Sequence, residues 1–166
     1  MDLTTYARTM AAYNRWMNER LYEACAALPD EQRKRDVGAF FKSIHGTLNH
    51  ILLADRIWMG RFTGVPFQAR SLGQELYADY GELRAERART DQVIADWAAS
   101  LRPADFAGEL SYLSLAKEPR RTPLWLAATH FFNHQTHHRG QVTALMKQCG
   151  VDPGVTDLVA MPRPER

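Results

Sequence analysis

The chain has 166 residues, 45% of them hydrophobic and 24% charged, with a formal net charge of +2. That length and balance fit one soluble domain able to bury about two-thirds of its unfolded surface without staples, and they exclude a disordered chain. The small charge, spread among acidic residues, leaves no electrostatic footprint for nucleic acid; the densest basic cluster, Arg33-Lys34-Arg35, reads as solvated surface.

In chain order, the first helix is expected from Thr4 or Thr5 to Leu28, with a threonine as N-cap and Pro29 as stop. Its apolar side carries Tyr6, Met10, Tyr13, Met17, Leu21 and Leu28. The second is expected from Phe40 to Phe62, broken by Thr63-Gly64-Val65-Pro66. The third is expected from Tyr77 to Leu101, with Leu83, Val93, Ile94 and Trp97 on its packed side. After Pro103, residues Phe106, Leu110, Tyr112, Leu113 and Leu115 are compatible with a short extended hairpin. The fourth helix is expected to start at Thr122-Pro123, cap followed by proline, and to stop at Gly150. The tail from Met161 to Arg166 is expected to be loose. The sum is an all-α four-helix bundle with an irregular or extended segment between the third and fourth helices, a single domain over residues 1–166.

No run of about 18 apolar residues and no signal-like amino terminus is present, so a cytoplasmic protein without a membrane span is expected. Cys25 and Cys149 belong to no Cys-x-x-Cys pair and read as reduced, packed thiols. Nucleotide-binding glycine loops, the Gly-x-Ser-x-Gly elbow, His-Glu-x-x-His and Glu-x-x-His pairs are all missing.

What stands out is the fourth helix, where four of the six histidines lie between His130 and His138. His134 and His138 are four residues apart, on one face with Ala127, Phe131, Val142 and Leu145, in the middle of the apolar stripe. Neutral imidazoles so placed bind Zn²⁺, Ni²⁺ or Fe²⁺, and a shared cation satisfies two buried rings together. The rival account is a pair of core histidines hydrogen-bonded to side chains or water. A His130 and His134 pair has the same spacing but points off the stripe, and His130 and His137 flank the site or face solvent.

A metal site needs a further ligand, and His45 and His50 on the second helix remain. Lys42, Asn49, Arg56 and Thr63 recur every seven residues and mark that helix's wet face; His45 lies near it and reads as a surface residue. His50 is the more buried candidate, beside Gly46, Leu53, Ala54 and Ile57. Asp55 falls in the apolar stripe, where a carboxylate needs a partner; it either supports a ligand histidine, or ligates, or pairs with an arginine of another helix. Trp16, Trp58, Trp97 and Trp125 read as packing residues.

Three motifs resemble the DinB-like family of small bacterial helical metalloproteins: Tyr13-Asn14-Arg15-Trp16-Met17-Asn18 with Leu28-Pro29, Thr47-Leu48-Asn49-His50-Ile51 with Asp55, and His134-Gln135-Thr136-His137-His138-Arg139-Gly140-Gln141. The likeness runs from residue 1 to about residue 160. It implies a four-helix bundle, a homodimer, and a divalent metal, zinc or nickel, held by His50, His134 and His138. It also implies a metal-dependent enzyme that activates a low-molecular-weight thiol or water, with no role in binding DNA despite the family's damage-inducible name. Many members of that family have no demonstrated activity, so a metal-stapled dimer without catalysis and a small-ligand-binding stress protein stand as alternatives.

Overall fold

The computed structural model describes residues 2–162. Four long helices form the bundle: α1 (Leu3–Ala26), α3 (Ile44–Thr63), α4 (Tyr80–Ser100) and α5 (Leu124–Gln148), with a single-turn helix α2 (Asp30–Lys34) after α1. Between α4 and α5 lie a 3₁₀ turn (Pro103–Ala107) and an antiparallel hairpin, β1 (Glu109–Leu113) with β2 (Pro119–Pro123). The expected extended segment is therefore a two-stranded hairpin, although Phe106 belongs to the turn before it and is buried.

Three of the four long helices start away from expectation for one reason: the cap is the polar side chain that reaches the backbone, not the residue nearest the apolar run. Asp2 caps α1 by accepting from the Thr5 amide at 2.8 Å, which displaces the threonines into the first turn. Ser43 caps α3 and Asp79 caps α4, so both begin a few residues late. Thr122 stays in β2, and Pro123 itself is the N-cap of α5. At the far end Gly150, at φ +77, provides the expected left-handed stop.

Around the bundle the main packing contacts give the order α1, α4, α3, α5. Asn14 meets Asp91 and Arg8 meets Ala99, so α1 and α4 are antiparallel. Asp55 meets Arg87 and Phe62 meets Trp97, so α3 and α4 run the same way. A parallel pair needs a connection that returns the length of the bundle, and residues 64–79 supply it. That return segment lies along α3 and covers the middle of the face expected to be wet, leaving Lys42 and Thr63 exposed. Asn49 is buried, its carboxamide oxygen accepting from the Leu76 and Tyr77 amides at 2.9 and 3.0 Å. His45, expected at the surface, is likewise buried, with Nε2 2.9 Å from the Tyr77 carbonyl.

The core has two apolar halves. One centres on Tyr13, Met17, Leu21, Leu48, Leu52, Leu83 and Met146, the other on Ala7, Met59, Ile94, Trp97, Phe131 and Phe132. Between them every long helix contributes buried polar groups: Asn14 and Asn18, Asp55, Arg87 and Asp91, Gln135 and Arg139. Arg87 pairs with Asp55 at 2.5 Å and with Asp91 at 2.9 Å; Asn14 and Asn18 donate to Asp91, Gln135 donates to Asp55, and Arg139 donates to Asn14. Of the readings open for Asp55, the arginine partner is the one observed.

Other expectations need correction. Val93 is exposed because the packed face of α4 is set by Leu83, Arg87, Thr90, Asp91 and Ile94. Arg33 is buried: its guanidinium lies 4.2 Å over Tyr80 and donates to the Cys25 and Leu28 carbonyls, closing the end of α1. Of the tryptophans, Trp97 is core and Trp125 is half exposed. Cys25 and Cys149 are free; Cys25 is buried, and that burial pushes its thiol up to about 12. Met161 packs against the core, while the rest of the tail expected to be loose, residues 163–166, lies outside the described residues. No described helix is long and apolar enough to cross a membrane.

Candidate metal centre

His50 of α3 meets His134 and His138 of α5, and a nitrogen of each of the three rings lies within 4.8 Å of the others. The Nε2 atoms of His50 and His134 are 3.4 Å apart, and the ring centroids of His134 and His138 are 4.4 Å apart. His130 approaches Trp58 and His134 from the cavity side, and His137 is exposed with Nε2 near Gln141. The structure thus brings together the three preferred histidines and leaves His45 out of the cluster.

Two of the rings have their tautomers set from behind. His50 Nδ1 lies 2.9 Å from the Leu72 carbonyl, which can only accept, so that nitrogen carries the proton and Nε2 presents a lone pair. His138 Nδ1 lies 2.7 Å from Gln141 Oε1, with the same consequence. Those two lone pairs need a shared partner, and either an N–H of His134, whose Nε2 lies 3.4 Å from His50 Nε2, or a cation bound by all three rings supplies it. Tetrahedral Zn–N bonds of about 2.0–2.1 Å place neighbouring nitrogens about 3.3–3.4 Å apart, which matches the His50–His134 separation. The donor set fits a borderline divalent ion such as zinc or nickel.

Supporting residues escaped the sequence reading. Phe41 stacks on His50 with centroids 3.7 Å apart. It stands in the tight turn before α3, next to Lys42 at φ +69, and reaches the helix because residue 46 has no side chain. A Cβ on Gly46 would lie 2.1 Å from the Phe41 carbonyl oxygen. Gly46, the small neighbour of His50, thus makes room for this turn. Gly46→Ala is therefore expected to lower stability by about 1–3 kcal/mol and to displace Phe41 from His50. A urea titration checks the first effect and a weakened metal affinity the second.

Burial keeps the trio uncharged. It pulls His134 down to about 3, with His138 and His50 adding to the effect, and His50 down to about 4 against the opposing bond to Leu72. His138 is also lowered, first by burial. The unfolded chain takes up protons near 6.5, where the folded protein does not, so it binds more protons and stability rises with pH. The metal-free protein is expected to hold its full histidine contribution above about pH 6.5 and to lose it progressively as pH falls toward the folded values of about 4 and 3. Urea midpoints of chelator-treated protein at successive pH values read the slope, and His134→Gln should flatten it.

The trio opens on a cavity of about 890 Å³ walled by Phe40, Phe41, Ile57, Trp58, Arg61 and Leu72, together with the histidines. Its lining is mostly apolar, and among the described residues it includes no carboxylate. The class is now defined: a small all-α bundle with a candidate three-histidine metal centre at the side of an apolar cavity. The DinB family matches residues 1–166, and the chain belongs to that family. It is 25% identical over 163 residues to Protein DinB of Bacillus subtilis (strain 168), covering 93% of this chain and 92% of that protein. The crystal structure of a DinB-like protein from Bacillus cereus ATCC 10987 superposes with a TM-score of 0.59 at 20% identity, over 84% of this chain and 90% of that one.

Proposed function

We propose that the chain is a metal-dependent enzyme in which His50, His134 and His138 hold zinc or nickel and an exogenous thiol or water completes the coordination. The observation that carries this reading is the pair of Nδ1 bonds, to Leu72 O and Gln141 Oε1, which aim the Nε2 lone pairs of His50 and His138 toward His134. When bound, the ion supplies Lewis acidity that lowers the pKa of a coordinated thiol or water.

The chain's own residues do the rest. His50, His134 and His138 would hold the ion as three neutral donors and leave its charge uncompensated, so the site would favour an anionic co-substrate over a neutral one. Phe41 covers one face of His50, and Trp58 in the cavity wall offers apolar surface to an electrophile. Thiol transfer is the favoured reaction class, because a thiolate in an apolar cavity is a stronger nucleophile than hydroxide toward soft electrophiles. The resemblance carries the expectation of a homodimer to this chain, which light scattering reads directly, and of a low-molecular-weight thiol as co-substrate.

The test uses protein purified without a histidine tag. About one metal per chain, with glutathione- or cysteine-dependent turnover of an activated aryl halide that chelation removes and zinc or nickel restores, supports the reading. Turnover of activated esters without thiol supports the water-activating form. Stoichiometric metal with no turnover above background in either panel overturns catalysis and favours an ion that staples α3 to α5, or a ligand-binding protein without chemistry.

A further inference from the structure

The cavity has a second polar feature away from the histidine trio. Arg61, at the last turn of α3, is half-buried in the wall, with its guanidinium carbon 4.5 Å from the ring centroid of Trp58 and 4.5 Å from that of Tyr112 in β1. Among the described residues it takes part in no ion pair and donates no hydrogen bond, whereas the arginines buried in the core, Arg33, Arg87 and Arg139, all do. The two aromatic rings hold the guanidinium beside the cavity by cation–π contact, and Arg61 is one of the residues that line it. Among the described residues no carboxylate lines that space.

A half-buried cation in an apolar wall, without a counter-ion among the described residues, is a site for someone else's anion. Burial already works against its charge, and the neutral His130 beside it adds nothing to compensate. The planar fork matches a carboxylate in two parallel N–H bonds. Arg61 and His50 are eleven residues apart on one helix, about 16 Å along its axis, and the arginine stem leans back toward the helix N-terminus. The surface between is apolar, formed by Ala54, Ile57 and Trp58, and the rim adds exposed Phe40, Leu72 and Leu115.

We propose that Arg61 recognises a carboxylate, and that the electrophilic substrate is an organic acid whose acid group pairs with Arg61 while its apolar body lies along Ile57 and Trp58 toward His134. The substrate assignment rests on the metal-centre reading above; the carboxylate site itself does not. Arg61 is accordingly a specificity residue at one end of the cavity, with the chemistry at the other.

The probes are octanoate and its uncharged counterpart octanamide, titrated into the full-length protein by calorimetry, both as purified and after chelation. Octanoate is expected to bind at least about tenfold more tightly than octanamide in the chelated protein, the value of one charge-assisted pair. Arg61→Met, which keeps the apolar stem, should erase that preference while octanamide binding persists, and Arg61→Lys should retain part of it. Unchanged melting temperatures show that the variants fold; if the methionine variant does not, Arg61→Gln takes its place. Equal binding of the two probes by the parent, no binding of either, or a carboxylate preference that survives Arg61→Met overturns the proposal. A protein that shows the Arg61-dependent preference but takes up no metal keeps the carboxylate site and loses the metal centre, whereas metal uptake without the preference does the reverse.

Discussion

Arg87→Leu is expected to lower the unfolding free energy by about 3–5 kcal/mol, far beyond the effect of an average substitution. Arg87 is 2% exposed and faces two carboxylates, Asp55 at 1% and Asp91 at 3%. Burial works against its charge, but Asp91 and Asp55 outweigh that and hold its pKa above the ordinary value. With Arg139 included, the buried layer contains two positive and two negative groups and is neutral as a whole. Leucine leaves the two carboxylates with Arg139 alone, and Arg139 reaches Asn14 rather than either acid. A urea titration at neutral pH measures the loss.

A second measurement separates this cause from a simple packing defect. Burial already raises the Asp55 carboxyl, with Arg87 and Gln135 opposing. Without Arg87 the folded protein binds a proton at Asp55 more readily than the parent does, so the variant gains stability relative to the parent as pH falls. The gap between Arg87→Leu and the parent should therefore shrink on going from pH 8 to pH 5. A gap independent of pH would assign the loss to shape alone.

That layer also explains where the sequence was legible. Long apolar periodicities at Tyr13, Met17 and Leu21, or at Leu48 and Ile51, identify α1 and α3 because the two halves of the core obey ordinary amphipathic patterning. The same rule misplaces the centre of α5. Its innermost positions at mid-bundle are Gln135 and Arg139, so His134 sits at the edge of the buried stripe, facing the cavity. Polar residues that satisfy one another across four helices look, one helix at a time, like surface. Asn14, Asn18, Asp55, Gln135 and Arg139 all stand within the motifs that carry the family resemblance, yet their common role appears only when the helices are assembled.

The wet face assigned to α3 holds at its ends, where Lys42 and Thr63 are exposed, and fails in the middle for a different reason. Lys42, Asn49, Arg56 and Thr63 do form a polar row, but the return segment of residues 64–79 uses its groups as anchors: Asn49 holds the Leu76 and Tyr77 amides, and Arg56 donates to Tyr77 and pairs with Glu86. Nothing local to α3 reveals that the following helix runs parallel to it and so requires a long covering connection. The consequence reaches the site, since that same connection carries the Leu72 carbonyl to His50. Gln141 was within view, three residues beyond His138, and helical spacing alone places it against the ring.

The largest expected effect concerns metal affinity. Replacing His50, His134 or His138 singly with alanine should remove stoichiometric binding of zinc at neutral pH, because two neutral imidazoles alone cannot hold the ion against water and buffer. Gln141→Leu should weaken binding by about 10–100-fold without removing a ligand, through loss of the bond that fixes the His138 tautomer. His130→Ala and His137→Ala should leave affinity within about twofold of the parent, as neither ring is needed to complete the three-nitrogen cluster. Competition titration against a zinc chelator measures all six variants on one scale. The graded order, three ligands first, Gln141 next and the two flanking histidines last, follows from the geometry of the trio. A His134→Ala protein that keeps its metal, or a His130→Ala protein that loses it, would move the centre toward the rival His130 pair and away from the cluster that His50 completes.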